Sequence, residues 1–356
     1  MKKIILNKNS KGKKQMKIKE FVQEFIVEED RGFDSAHAST LIELKDGGVL
    51  AAWFGGSWEK GADVAIWVAK RTNGTWEKAR KVADERTVCM WNPVLFRKED
   101  GTIILFYKVG KTIQEWETWY IESNNEGTTF TKPKELVPGD VGGRGPVKNK
   151  PIRLEDGTVL APNSLEGDTW DAFVDISNDD CTTWEASELV PLRRSCFNIQ
   201  MVDRPYDKHH CHGKGIIQPA LWQDETGDVH MFLRSTSSRV FRSDSKDGGR
   251  TWCTAYDTGI PNNNSGLDLV KLPGGKLVLV YNPRENLPNY YKGPRTPLTL
   301  AYSEDNGETF KELKVLEDGV GDFAYPSVVC NDKKEILVTY TWKRERIVFC
   351  KLSYED

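Results

Sequence analysis

The octapeptide Ser245-Lys-Asp-Gly-Gly-Arg-Thr-Trp252 recurs along this chain, and a recurring turn limits the possible folds more than any other feature of the sequence. Its pattern, Ser-x-Asp-x-Gly-x-Thr-Trp, returns as Ser303-Glu-Asp-Asn-Gly-Glu-Thr-Phe310 with one aromatic exchanged. More worn copies are Ser177-Asn-Asp-Asp-Cys-Thr-Thr-Trp184 and Ser123-Asn-Asn-Glu-Gly-Thr-Thr-Phe130, and a last trace is Thr72-Asn-Gly-Thr-Trp76. Self-similarity spread over a whole chain implies one supersecondary unit used many times.

A second repeat lies between the octapeptides: an apolar strand, an acidic or glycine turn, and another apolar strand. It opens at His37, Trp91, Asn149, Ile217, Ser265 and Tyr325, with turns at Asp46-Gly-Gly, Asp100-Gly, Asp156-Gly, Thr226-Gly, Gly274-Gly and Asp332-Lys-Lys. Asp-Gly between apolar runs is a hairpin signal. With 12 Trp, 14 Phe, 11 Tyr and 30 Gly, the composition also favours many short strands over helices. These modules predict an all-β, six-bladed β-propeller as a single domain over residues 20–356. Its ends would close where Ile347–Ser353 meets Phe21–Val27. The octapeptide would turn the third strand of a blade into the fourth, its hydroxyl and carboxylate holding the turn and its aromatic plugging between sheets.

Charge and cysteine usage exclude several function classes. Lys plus Arg number 50 and Asp plus Glu 53, for a net charge of −3, which gives no general case for nucleic acid. Seven scattered Cys without a CxxC predict free thiols in a reducing compartment. The basic stretch 1–19 has no apolar run beyond Ile4-Ile-Leu6, so it predicts a disordered leader and not a signal peptide. No window approaches a membrane span. The expectation is a cytoplasmic protein without membrane contact and without a cofactor; oligomeric state is left open.

In a propeller the inner strands begin around one end of a central channel, where side chains converge. Alignment of the modules places His37, Asn92, Lys150, Gln218, Asp268 and Tyr325 in that ring. Loops on the same face add Glu59 and Asp63 in Gly55-Gly-Ser-Trp-Glu-Lys-Gly-Ala-Asp63, and Glu166 after Asn163-Ser-Leu. Arg234 and Arg295 flank strands on that face, and two Arg can clamp a carboxylate with forked hydrogen bonds. Trp58, Trp116 and Trp119 are candidates for stacking on a ligand, whereas Trp53 and Trp91 read as core. His209-His-Cys-His212 reads as a loop, since adjacent side chains diverge and cannot all reach one metal.

From about Phe33 to Lys351 these repeats resemble the Asp boxes of the sialidase (neuraminidase) superfamily. That resemblance implies a carbohydrate substrate, an Arg triad gripping its carboxylate, a Tyr nucleophile with a Glu partner, and an Asp acid/base in the loop after the first hairpin. Tyr325 in Ala-Tyr-Pro-Ser matches the nucleophile, and Arg234 in Phe-Leu-Arg-Ser and Arg295 match two triad members. Asp63 falls in the acid/base loop, with Glu59 as its rival.

Two departures separate the chain from that pattern. His37, in Ser-Ala-His-Ala-Ser, stands where the first triad Arg belongs, and Gln218, in Ile-Ile-Gln-Pro, where the Glu belongs. The chain more closely resembles a branch of sialidase-like proteins sharing His-Ala-Ser-Thr, Trp-Asn-Pro-Val-Leu-Phe, Lys-Asn-Lys-Pro, Ile-Ile-Gln-Pro and Tyr-Thr-Trp-Lys-Arg-Glu-Arg. A phenol is a poor nucleophile at neutral pH until a base takes its proton. Gln218 cannot do so; Asp268 or Glu166 could, and Lys150 could restore the missing positive charge. The expected activity is exo-acting hydrolysis of an acidic sugar, a uronate fitting better than a nonulosonic acid. The alternatives are a uronate-directed lyase and a propeller that binds a glycan without turning it over.

Overall fold

The computed structural model describes residues 15–27, 31–84, 87–196, 214–288 and 290–355. Among them the only helical element is the short 3-10 turn Arg194–Cys196; everything else regular is strand. The His209–His212 cluster, residues 1–14 and most of the insert before the fourth module lie outside the described residues.

Each turn signal produces an antiparallel meander. In the first module Ser35–Glu43 pairs with Val49–Gly56 across the Asp46-Gly-Gly turn, and Val49–Gly56 pairs with Ala65–Thr72, which carries Arg80–Ala83 at its edge. The last module runs from Phe323–Cys330 through Ile336–Trp342 to Arg346–Glu355, and its outermost strand is the N-terminal segment Lys17–Phe25. Chain start and chain end thus share one sheet, which closes the ring as the repeats require. Lys17 and Lys19, assigned from sequence to the basic stretch 1–19, instead belong to that strand, and Met16 just before it is buried.

The fold is an all-β propeller, but the six separate blades predicted from the repeats are corrected. Four sheets of four or five strands stand as separate blades, while the remaining eight strands form one sheet. Thr169 and Trp170 pair in parallel with Lys214 and Gly215, joining the third and fourth modules. Glycine permits the approach: a Cβ on Gly215 would lie 2.1 Å from the Trp170 carbonyl oxygen.

The octapeptides sit at the turn after the third strand of four modules, on the face opposite the inner-strand starts. The three copies with Asp use the same bonds, and in the fourth Asn125 Nδ2 donates to Thr129 Oγ1 at 2.8 Å. Ser245 Oγ accepts from the Gly249 amide at 2.9 Å, and Asp247 accepts from the Thr251 amide at 2.9 Å and its hydroxyl at 2.6 Å. The Ser303–Thr309 and Ser177–Thr183 copies repeat this set. Hydrogen bonds from Thr183 hold the Asp179 carboxyl at about 2. The closing aromatic is the energetic anchor: Trp252 is 6% exposed, packed in a core with Leu154, Leu160 and Phe241. Trp252→Ala is expected to cost about 3–5 kcal/mol of unfolding free energy, read by urea denaturation. Ligand affinity in the folded fraction should be unaffected, because the octapeptide lies at the far end of the blade.

Candidate functional site

Four inner strands carry a bulge near their start. The pairing register slips between His37 and Thr40, Trp91 and Val94, Ile217 and Ala220, and Ala324 and Ser327. At each slip one non-glycine residue takes a positive φ: Ala38 (52°), Asn92 (41°), Gln218 (55°) and Tyr325 (54°). Pro93, Pro219 and Pro326 follow the last three. Bulges re-aim side chains, and left-handed non-glycine backbone persists only where its surroundings hold it.

Much of the polar ring is spent on joining modules. Asn92 Nδ2 donates to the Val147 carbonyl at 2.8 Å. Lys150 Nζ lies 3.0 and 2.9 Å from the two Asp268 oxygens, and Asp268 also accepts from the Val328 amide at 2.8 Å. Lys150 and Asp268 therefore satisfy each other and are absent from the pocket lining; neither supplies the charge nor the base expected of it. His37 Nδ1 bonds to Thr341 Oγ1 at 2.8 Å, and its ring centroid is 4.2 Å from that of Tyr325. Burial, and then the charges of Arg344, Arg295, Lys148 and Arg234, hold His37 well below its ordinary value, so its imidazole is neutral.

A cavity of about 380 Å³ opens above this ring, lined by Glu59, Glu166, Trp170, Arg234, Lys292, Arg295, Tyr325 and Arg344 among others. Antiparallel topology explains the set. Glu59, Glu166 and Arg234 lie at or just beyond the ends of second strands, Arg295 and Lys292 precede a third strand, and Arg344 turns between the two. All these ends meet at the face where the inner strands begin.

At the centre, Tyr325 Oη accepts from Arg234 Nη1 at 2.8 Å and from Gln218 Nε2 at 3.3 Å. Gln218 Oε1 in turn accepts from Arg234 Nη1 at 3.1 Å, which fixes the amide so that its NH2 faces Tyr325. The same NH2 donates to Glu166 Oε1 at 3.3 Å. The guanidiniums of Arg234 and Arg295 lie 5.9 and 5.4 Å from the Tyr325 ring centroid. Arg234 is buried, its Nε donating to Asn264 Oδ1 at 2.8 Å. Arg295 pairs with Asp322 at 3.3 Å.

Arg344 is the residue sequence reasoning missed. It sits in the Trp342–Arg346 turn with φ 63°, pairs with Glu59 at 2.8 Å, and brings a third guanidinium to the pocket. The signal was present: Lys-Arg-Glu-Arg joins a second strand to a third, the same topological place that singled out Glu59. Lys292 was missed too; burial, then Arg295, Arg234 and Arg344, pull its amine down to about 8. Glu59 is in the pocket, but Asp63 is not. Asp63 accepts from the Ser57 amide and hydroxyl, each at 2.8 Å, and so holds its own exposed loop. Burial raises the Glu166 carboxyl above its ordinary range, against the lowering pull of Arg234.

The BNR repeat-like domain family matches residues 47–337, most of the chain. The chain belongs to the BNR repeat-like family. Its propeller is of the sialidase-like, Asp-box type. Among solved structures, a Dyadobacter fermentans protein of unknown function aligns with TM-score 0.71 and 17% identity, over 96% of this chain and 99% of that one. The Trypanosoma rangeli sialidase aligns with TM-score 0.68 and 15% identity, over 90% of this chain but 55% of the enzyme. A mutant of NanB sialidase from Streptococcus pneumoniae gives TM-score 0.68 and 12% identity, over 91% and 69%. Identities this low bear on fold alone. No curated protein matches the sequence. No helix among the described residues is long and apolar enough to cross a membrane.

Proposed function

We propose that this BNR-repeat protein hydrolyses a glycoside of an acidic sugar, with Tyr325 as nucleophile. The observation that carries the reading is the convergence of Arg234, Arg295 and Arg344 around Tyr325 in one cavity. Such a cluster in a partly desolvated pocket suits a carboxylate, which Arg binds through paired hydrogen bonds. Because Arg344 restores a third permanent charge, the reason for preferring a small uronate over a larger acidic sugar falls away.

In the reaction Tyr325 Oη attacks the anomeric carbon, the bond to the leaving oxygen breaks, and that oxygen takes a proton from Glu59. Water then attacks the anomeric carbon, giving its proton to the Glu59 carboxylate; the bond to Tyr325 Oη breaks and Oη takes back the proton held by Glu166, giving net retention. Arg234 and Gln218, both donating to Oη, steady the charge it develops as its proton leaves. Glu166, bonded to the same Gln218 amide, is the acceptor for that proton; its raised proton affinity makes it a stronger base than an exposed glutamate. The sites that match the resemblance are thus Tyr325, Arg234 and Arg295. Gln218 becomes a donor, and the base moves to Glu166.

The test is release of the aglycone from umbelliferyl glycosides of sialic, glucuronic, galacturonic and neutral sugars. Hydrolysis of an acidic member alone supports the reading, while equal or absent turnover of all of them sinks it. An ultraviolet-absorbing unsaturated product would place the chain with lyases. A base must be deprotonated to act, so activity is expected to fall as pH drops through the Glu166 pKa. Since that pKa is raised in the unliganded protein, the acid limb of kcat/KM should lie above the ordinary glutamate value of about 4.3. Glu166→Gln should remove the limb in a pH–rate profile.

A further inference from the structure

Lys148 is buried at 4% exposure beneath the pocket, and neither the activity just proposed nor the sequence pattern gives it a role. Its ammonium donates to Asn149 Oδ1 at 2.7 Å, to the Leu267 carbonyl at 3.0 Å and to the Pro326 carbonyl. Burial pulls this amine down to about 7; with its three protons in place, all three are used. Two of the acceptors are main-chain groups of other modules: Leu267 precedes the inner strand Asp268–Lys271, and Pro326 lies in Phe323–Cys330 directly after Tyr325. One side chain therefore ties three inner-strand starts together at the channel.

The tie falls where the nucleophile's backbone is least self-sufficient. Tyr325 has φ 54° and is followed by Pro326, in the middle of a register slip. A proline also lacks the amide that would otherwise anchor this bend, which leaves its carbonyl as the available handle. Lys148 Nζ lies 5.9 Å from the Tyr325 ring centroid. Gly266 packs between the two: a Cβ there would stand 3.3 Å from Lys148 Cε and 3.3 Å from Tyr325 Cδ2.

We propose that Lys148 is the positioning residue of this site, holding the Tyr325 bulge through the Pro326 carbonyl so that Oη stays on Arg234 and Gln218. Its part in turnover rests on the hydrolase reading; its part in placing Tyr325 does not. The sequence led to Lys150 as the lysine that restores a positive charge at the ring; Lys150 is committed to Asp268, and Lys148, two residues earlier in Lys-Asn-Lys-Pro, is the lysine that reaches the nucleophile's strand.

Two measurements on the full chain test this. The first is the crystal structure of Lys148→Met beside the unaltered protein. The Tyr325 ring is expected to shift so that Oη loses its bond to Arg234; an unmoved ring overturns the proposal whether or not any glycoside is cleaved. The second is kinetics on the best acidic glycoside. A nucleophile misplaced by about 1 Å should lower kcat by roughly 100-fold with little change in KM. Lys148→Gln, which keeps donors at similar reach, should recover part of the rate, and Gly266→Ala, which crowds the same floor against Lys148 Cε and Tyr325 Cδ2, should lose part of it with the lysine itself retained. Unchanged kcat in both Lys148→Met and Gly266→Ala overturns the proposal. Failure of the unaltered protein to cleave any acidic glycoside overturns the hydrolase reading alone, and the crystal structures still decide the placement.

Discussion

Tyr325→Phe is expected to lower kcat on the acidic glycoside by at least about 1,000-fold while leaving ligand affinity within about threefold. The variant removes one oxygen and keeps the ring. His37 still packs on it at a centroid distance of 4.2 Å, and Arg234 and Arg295 still flank it. Arg234 keeps Gln218 and Asn264 as partners, so no buried guanidinium is stranded. Binding by calorimetry and turnover by aglycone release, measured on one preparation, separate the two effects. A variant that still turns over at the unaltered rate would show that the phenol oxygen takes no part. Loss of binding together with turnover would instead point to a disturbed pocket, which the melting temperature would reveal.

Arg234→Ala should damage ligand binding as well as turnover. Its guanidinium is buried, donates to Tyr325, Gln218 and Asn264, and lies 5.3 Å over the Trp170 ring. Truncation strands those acceptors and removes one arm of the carboxylate clamp. A charge-assisted pair in a desolvated site is worth about 3–4 kcal/mol, so kcat/KM should fall by about 100- to 1,000-fold. Arg234→Lys should recover little, because a single ammonium cannot reproduce the fork that serves Gln218, Tyr325 and a ligand together. Arg344→Ala is the instructive contrast. Arg344 is about 30% exposed and pairs with Glu59, so its loss should weaken binding of the acidic ligand more modestly and leave Tyr325 in place. If Arg344→Ala binds as tightly as the unaltered protein, the three-guanidinium account of the pocket is wrong.

Glu59 and Asp322 already sit on Arg344 and Arg295 in this structure. An acidic ligand must therefore compete with internal carboxylates, and binding should weaken with ionic strength less than for an open cationic surface, because the pocket is partly desolvated. Lys292 is the contrast: burial and the three Arg dominate the lowering of its amine, and it lies over the Tyr291 ring at 4.9 Å.

What was legible in the sequence was whatever depends on local chemistry repeated along the chain. Octapeptides and Asp-Gly turns encode hairpins through backbone preferences of a few residues, so the all-β propeller, the place of each octapeptide and the closing strand pair could all be read from the sequence. Tyr325, Arg234, Arg295 and Glu59 could be placed at one face because topology sends strand starts and second-strand ends there, and they line one cavity. Tertiary structure alone decided which polar residues at that face are free to meet a ligand. Asn92, Lys150 and Asp268 are ring members consumed by inter-module bonds, and Asp63 is consumed within its loop. Arg344, Lys148 and the pinned amide of Gln218 acquire their places from contacts across tens to hundreds of residues of chain. A hydrogen-bond donor is satisfied by whichever acceptor folding brings near, and sequence spacing records nothing about that choice. The merging of the third and fourth modules into one sheet has the same origin: Gly215 admits the Trp170 backbone, and only the folded chain brings them together.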